Sequence, residues 1–386
     1  MRVATLNTNK QKTSLETRTF KPHREASKDI HPSLHASENA VLMGQAAYGA
    51  LTNFKKSGFE PDIILSHSGW GSSLFAKDVF PKAKLLNYYE WYYHCHGGDG
   101  EFVAQKRFDA NSELRIRMKN TPILHDIAAQ DWGQCPTYFQ QSMIPEKFRS
   151  EISVIHDGVD TQFFTPNPDI VLNVNGKKFT KEDEIITYIA RGMEDYRGFR
   201  QFMEAVSEIQ KMRPKAHVMV LGQDRVAYGS QRPDGKGLKN WAFENFEYDH
   251  DRLHFFGNQP LEFLLQMIRI SKVHVYLTAP FVLSWSLLET MATEALIVAS
   301  DTAPVLEVIK DNHNGLLVPF FEVDKLIEKI NYALDNQDAL KEIRQNARKT
   351  ILMSYDKNDL LPLYRDLIHK VEAGERPSTH YTYKNI

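Results

Sequence analysis

The second half of the chain alternates in a way that leaves few folds open. Apolar runs at Ile185–Ala190, His217–Leu221, Leu253–Phe256, Val273–Leu277, Leu296–Ala299 and Leu316–Val318 have the length and branched content of buried strands. Between them lie segments of helical periodicity: Phe199–Met212, Pro260–Ile270, Trp285–Glu294, Pro304–Lys310 and Val323–Leu334. Two more helices follow at Ala339–Met353 and Leu360–Glu372. Strand, helix, strand repeated in this way builds a parallel sheet covered by helices, because parallel neighbours need a long crossover.

Ligands of open α/β sheets gather outside the carboxyl ends of the strands. Strand Ile185–Ala190 runs directly into ARGMEDYRGF, which places Arg191 and Arg197 at such an end. Two guanidinium groups there can grip a diphosphate with forked hydrogen bonds. The plain alternative is a pair of solvated arginines beside Glu194 and Asp195. After Val273–Leu277, the loop Leu283, Ser284, Trp285 opens onto a helix N-terminus, whose free amides and dipole suit an anion. Glu289 stands about one turn inside, where a carboxylate can accept two hydrogen bonds from a ribose diol. Its alternative is a capping box, in which Glu289 reaches back to Ser286. Gly222 and Gly257 each follow a strand, and they fit either close ligand approach or an ordinary turn. Phe281 offers a wall, or a ring to stack on an apolar sugar face.

SLLETMATEALIVASD, with the two arginines upstream, resembles the donor-nucleotide site of retaining glycosyltransferases of family 4. The resemblance implies the GT-B fold, two Rossmann-like α/β domains facing a cleft. In that family a glutamate, seven residues and a second glutamate usually frame the site, and the second holds the ribose. Here Glu289 matches the second, whereas Phe281 occupies the place of the first. The family's usual Arg and Lys correspond to Arg191 and Arg197, which would stabilise the departing diphosphate. Leu283, Ser284 and Trp285 would offer backbone amides, and the Gly257 turn would meet the nucleobase. The implied reaction moves a hexose from a nucleoside-diphosphate sugar, a UDP-sugar favoured, to an acceptor hydroxyl with retention and without cofactor or metal. The acceptor stays open among glycan, lipid-linked and small-molecule classes. A non-catalytic sugar-nucleotide-binding or scaffold protein of the same fold is the alternative, and a nucleotide-sugar epimerase is a further rival.

At 386 residues the chain exceeds a typical single domain. The expected division is residues 1–155, residues 156–355, and a helix and tail at 356–386, the helix crossing back to the first domain. His156–Pro168, HDGVDTQFFTPNP, reads as the connection. In the first half, strands are expected at 3–6, 62–66, 84–89 and 152–155. Helices are expected at 37–56, 74–79, 112–130 and 136–144, with 7–33 and 92–107 mostly loop. A GT-B chain normally begins with a strand, a glycine-containing loop and a helix, so the first domain is expected to lack that unit and expose a sheet edge. His67 and Trp70 in HSGWG, and Glu90 in YYEWYYH, follow strands and supply polar tips and aromatic platforms for a sugar or acceptor. His94, Cys95 and His96 are too close together for one tetrahedral zinc site.

A formal net charge of −2 gives no basic field for nucleic acid. Two cysteines make no disulfide framework and fit a reducing compartment. No apolar run reaches 18 residues, so the cytoplasm is expected, with contact at the inner membrane face left open.

Overall fold

The computed structural model describes residues 1–9 and 11–381. It divides into two compact units: Met1–His156 with the stretch from Leu360 to Tyr381, and Asp157–Asp359.

The second unit holds a six-stranded parallel sheet. Its strands, numbered along the whole chain, are β9 (Ile185–Gly192), β10 (His217–Gln223), β11 (Leu253–Phe255), β12 (Val273–Tyr276), β13 (Ile297–Ser300) and β14 (Leu316–Val318). They lie in the order β11-β10-β9-β12-β13-β14. The chain therefore steps outward from β9 to one edge, returns to β12 at the centre, and steps to the other edge. The reversal between β9 and β12 is the topological switch point, where the carboxyl ends of adjacent strands diverge and leave a crevice. Val218, Val220, Val273, Val275 and Val298 are at most 1% exposed, as strands covered on both faces require. Leu287, Leu288 and Met291 of the Trp285–Ala292 helix pack with Tyr276, Ile297 and Ala299 on one core.

A small hairpin precedes this sheet: β7 (Val171–Val174) and β8 (Lys177–Thr180) are antiparallel. Asn175 and Gly176 join them with φ of 49° and 83°, the two positive angles of a type I′ turn. This hairpin and the Leu238–Asn245 helix are absent from the sequence-based expectation.

In the first unit, β3 (Ile63–His67), β4 (Lys84–Tyr88), β5 (Trp132–Cys135) and β6 (Ile152–Val154) form a parallel sheet in chain order. A separate parallel pair joins β1 (Arg2–Leu6) to β2 (Glu16–Phe20). Glu16–Phe20 lies in the stretch read as loop. Its charged ETRTF sequence, with Glu16, Arg18 and Thr19 exposed, suits an edge strand, which lacks a long apolar run. The expected helix over 112–130 is two helices, Ala110–Met118 and Thr121–Ala129. Pro122 sits in the first turn of the second, where its missing N–H breaks no helical bond.

The stretch after β6 is tied to the end of the second unit. The Val159 N–H donates to the Tyr355 carbonyl at 2.7 Å, and the Lys357 N–H donates to the Val159 carbonyl at 3.0 Å. Gly158, at φ 82°, leaves no room for a side chain: an added Cβ would lie 2.7 Å from Lys357 Cα. Among the described residues no helix is long and apolar enough to cross a membrane.

Candidate functional site

The switch point of the second unit is built from two loops that are bonded to each other. One leaves β9 and contains Glu194, Asp195, Tyr196 and Arg197. The other leaves β12 and leads to the Trp285–Ala292 helix. The Ala279 N–H donates to the Tyr196 carbonyl at 2.8 Å. Gly198, at φ 61°, turns the first loop into its helix, and an added Cβ would lie 2.5 Å from Leu277 Cβ. The Tyr188 hydroxyl, buried beside Phe202, donates to the Arg197 carbonyl at 2.8 Å.

Arg197 is 6% exposed and donates to the Thr278 hydroxyl at 2.6 Å. It forms no salt bridge among the described residues. A buried cation without a carboxylate partner is costly unless a counter-charge arrives. Arg191 is exposed, and its Nη1 lies 3.3 Å from the Tyr228 hydroxyl. The Arg197 guanidinium lies 5.6 Å from the centre of the same Tyr228 ring. Tyr228 therefore joins the two arginines, so they are not independent solvated side chains.

The loop carrying Tyr228 is held by Glu194. One Glu194 carboxylate oxygen accepts the N–H groups of Ala227, Tyr228 and Gly229 at 3.1, 2.8 and 3.0 Å. Glu194 is buried, and its other oxygen has no hydrogen-bond partner among the described residues. Sequence reasoning named Glu194 only as a neighbour of the arginines and did not consider Tyr228. The polar residues of ARGMED gave no hint that a remote loop would fold back onto them.

Phe281 is 7% exposed, with its ring 5.3 Å from Tyr196 and 4.9 Å from Tyr228. It is a wall residue that packs the Tyr228 loop against the switch point. Leu283 is buried. The Ser284 N–H donates to the Tyr276 hydroxyl at 2.8 Å, and the Ser284 hydroxyl caps the helix through the Ser286 N–H at 3.4 Å. Trp285, the first helical residue, is 56% exposed.

The cap at Ser284 removes the alternative role of Glu289. With the N-cap two residues earlier than a capping box requires, Glu289 is the fifth helical residue and reaches no N-cap amide. Its carboxylate accepts no hydrogen bond from the described residues and forms no salt bridge with either arginine. Burial in these surroundings raises its pKa to about 7. A carboxylate in this state gains from any donor that arrives with a ligand.

Gly222 and Gly257 meet in an isolated bridge, with the Gly222 N–H donating to the Gly257 carbonyl at 3.0 Å. Gly222 has φ of 139°, and an added Cβ would lie 1.9 Å from the Ala190 carbonyl oxygen, so no other residue fits. Gly257 has φ of 63° but open space around it.

In the first unit, Asp126 fixes the HSGWG loop. One carboxylate oxygen accepts from the Ser68 hydroxyl at 2.7 Å and the Gly69 N–H at 3.1 Å; the other accepts from the Ser73 hydroxyl at 2.7 Å. His67 Nε2 lies 3.4 Å from a Glu90 carboxylate oxygen, and its ring leans on Tyr88 at 5.2 Å. His67 and Glu90 are thus brought together, and Trp70, which lines the same cavity as His67, is 65% exposed. Among the described residues no group of three or more His, Cys, Asp or Glu could hold a metal ion.

Residues 1–164 match the family profile described as glycosyl transferase family 4 group, and residues 173–350 match glycosyl transferases group 1. The α-D-kanosaminyltransferase of Streptomyces kanamyceticus is 23% identical over 193 residues, 47% of this chain and 46% of that protein. The chain therefore spans under half the length of this curated relative. Sucrose-phosphate synthase from Thermosynechococcus elongatus aligns with a TM-score of 0.69 at 16% identity, covering 95% of this chain and 89% of that one. Anabaena HepE, in complex with UDP-glucose, aligns with a TM-score of 0.65 at 11% identity, covering 96% and 100%. At these identities the two structures establish the GT-B fold alone, with its two Rossmann-like parallel sheets.

Proposed function

Since the chain belongs to the group 1 glycosyl transferases of family 4, we propose that it transfers a hexose from a nucleoside-diphosphate sugar to an acceptor hydroxyl with retention. The observation that carries this reading is Arg197. A guanidinium buried at a topological switch point, without a carboxylate partner, is suited to a ligand's anionic group. Arg191, linked to it through Tyr228, adds a second charge at the carboxyl end of β9.

In this mechanism the bond between the anomeric carbon and the β-phosphate oxygen breaks, and its electron pair leaves on the diphosphate. Arg191, Arg197 and the amides opening the Trp285–Ala292 helix stabilise that charge. The acceptor oxygen bonds to the anomeric carbon on the same face, and its proton passes to a β-phosphate oxygen. Preorganised charge of this kind lowers a barrier by several kcal/mol without an enzyme base, so Phe281 is compatible with turnover. Glu289 would hold the ribose diol, and Gly222 and Gly257 would line the base. Glu194 is a positioning residue that seats Tyr228 between the arginines. His67 and Glu90 of the first unit suit the hydroxyls of an acceptor.

HepE, a structural relative, binds UDP-glucose, which makes this donor the first to try. The test incubates the chain with UDP-glucose, UDP-N-acetylglucosamine and GDP-mannose, and follows melting temperature and nucleoside diphosphate release. A true donor at 100 times its Kd stabilises the fold by about 2.7 kcal/mol. Sustained diphosphate release supports the transferase. Stabilisation with no release on adding acceptor sugars supports the second reading, a non-catalytic sugar-nucleotide binder, which Phe281 in place of a carboxylate favours. No shift and no release with any donor would overturn both.

A further inference from the structure

Arg197 is suited to an anion, yet it is 6% exposed. A guanidinium so covered meets a diphosphate only after something over it moves. The groups around it decide what that is.

Most of them are fixed. The Thr278 hydroxyl accepts from Arg197 at 2.6 Å, and the Tyr276 hydroxyl faces the same guanidinium. Thr278 and Tyr276 are buried, at the end of β12. The Arg197 carbonyl accepts from Tyr188 of β9, which is buried and stacked on Phe202. None of these side chains can leave without opening the core between the two central strands. Tyr228 is different. It is half-buried, and it stands on the loop between β10 and the Leu238–Asn245 helix. Its ring centre lies 5.6 Å from the Arg197 guanidinium carbon, and its hydroxyl lies 3.3 Å from Arg191 Nη1.

The backbone under Tyr228 is pinned. Glu194 holds the N–H groups of Ala227, Tyr228 and Gly229. A Cβ added at Gly192, the last residue of β9, would lie 2.5 Å from the Arg225 carbonyl oxygen and 3.2 Å from the Ala227 nitrogen. One added at Gly229 would lie 3.3 Å from the Tyr196 ring. Beyond the loop, Arg200 donates to Asp195 at 2.6 Å and lies 4.3 Å from the Trp241 ring, which ties down the following helix. The motion that breaks none of these contacts is rotation of the Tyr228 side chain about its own bonds.

Charge gives that rotation a direction. A neutral phenol stands between two guanidinium groups, turning its ring to one and its oxygen to the other. A diphosphate in the same place would offer each of them a formal negative charge, and charge-assisted hydrogen bonds are about twice as strong as neutral ones. Ring and ligand therefore compete for one space.

We infer that Tyr228 is a gate on the donor site: a diphosphate reaches Arg197 when this ring swings off it, pivoting on a backbone that Glu194 holds still. The inference rests on the donor-site reading above. A gate differs from a wall in sign. Removing a wall weakens binding, whereas removing a gate strengthens it, because apparent affinity scales with the fraction of time the site is open.

Phenylglyoxal labelling of the full chain, read arginine by arginine by peptide mass spectrometry, reports the cover without any nucleotide. In Tyr228→Ala, Arg197 should react about tenfold faster than in the parent. Arg213, whose side chain is 13% exposed, should stay slow. Tyr228→Phe keeps the ring and should match the parent at Arg197. Isothermal titration with UDP and with GDP follows, and Tyr228→Ala should bind the nucleotide that the parent binds about fivefold more tightly. An Arg197 that stays slow in the alanine variant would show that another group covers it, which overturns the gate and leaves the donor site standing. A reactive Arg197 with unchanged or weakened nucleotide binding would make Tyr228 a wall, which also overturns it. If Arg197 becomes reactive but neither nucleotide binds parent or variant, the site does not take a nucleoside diphosphate, and the gate falls with it. Fast labelling of Arg213 would mean that the alanine variant has unfolded, and Tyr228→Ser then supplies the same comparison.

Discussion

The two parallel sheets are assembled from the same strand-helix unit, yet they end differently. In the second unit every inner strand has neighbours on both edges, and the only interruption is the topological reversal between β9 and β12, which makes the candidate donor site. In the first unit the strands fall into a pair and a set of four, with a cavity lined by β1 and β3. A continuous sheet opens to ligand only at its strand ends. A divided sheet also leaves strand edges without a ladder partner among the described residues. The difference teaches that a sheet continuous across its strands keeps its apolar residues covered and gathers charge at its strand ends, whereas a divided one leaves an apolar residue such as Leu65 54% exposed.

The most severe way to probe this contrast is a lysine in mid-strand. Val275→Lys places an ammonium at a position 1% exposed in β12, between β9 and β13. An unpaired charge there should cost more than about 4 kcal/mol, read as loss of the urea unfolding transition or a collapse of its midpoint. A mild effect would mean that the second sheet is looser than its burial indicates.

Arg197→Met comes next. Donor turnover should fall about 100-fold to 1,000-fold, the range for removing one preorganised charge-stabilising donor. The melting temperature should hold or rise, because a buried unpaired cation is replaced by an apolar chain and Thr278 keeps its bond to the Ala279 carbonyl. Lost stability with unchanged turnover would make Arg197 a structural residue.

For Glu289→Gln, donor affinity should drop about tenfold at pH 8, equivalent to about 1.4 kcal/mol. The pH dependence follows from burial, which raises the carboxyl from 4.5 to about 7 in the folded protein. Between these values the folded state binds the proton and the unfolded state does not. Stability from this group is therefore full below about pH 4.5 and lost as pH rises to about 7, by up to about 3 kcal/mol. Donor affinity in the parent should move oppositely, weakening below about pH 7 as the carboxylate is protonated. Isothermal titration and urea melts from pH 5 to 8 check both slopes, which the glutamine variant should flatten.

The smallest effect is expected for Leu65→Lys, the first-sheet counterpart of Val275→Lys. At 54% exposure the change should stay within about 0.5 kcal/mol. Unfolding as severe as that of Val275→Lys would mean that Leu65 is covered, and the contrast between the sheets would fail.

Much of the second unit was legible because its strands are continuous apolar runs and its helices have wide apolar stripes. β5, WGQC, was not: Gly133 and Gln134 break the apolar run, and Gln134 is buried with its amide donating to the Ile155 carbonyl at 2.6 Å and the Tyr364 hydroxyl at 2.9 Å. The β7–β8 hairpin carried a readable signal in Asn175-Gly176, overlooked amid polar neighbours. The capping-box spacing at Ser286 and Glu289 was misleading, because Ser284 competes for the same helix end and wins by position.

By itself the sequence determined the order of strand and helix, the placing of Arg191 and Arg197 after β9, and the likeness to family 4, since periodicity and turn chemistry act over a few residues. Tertiary structure alone decided which cation lacks a carboxylate partner among the described residues, and that Glu194 grips a loop more than thirty residues away. Those outcomes depend on contacts between segments remote in sequence, and burial turns the absence or presence of one such contact into a large electrostatic or hydrogen-bonding effect.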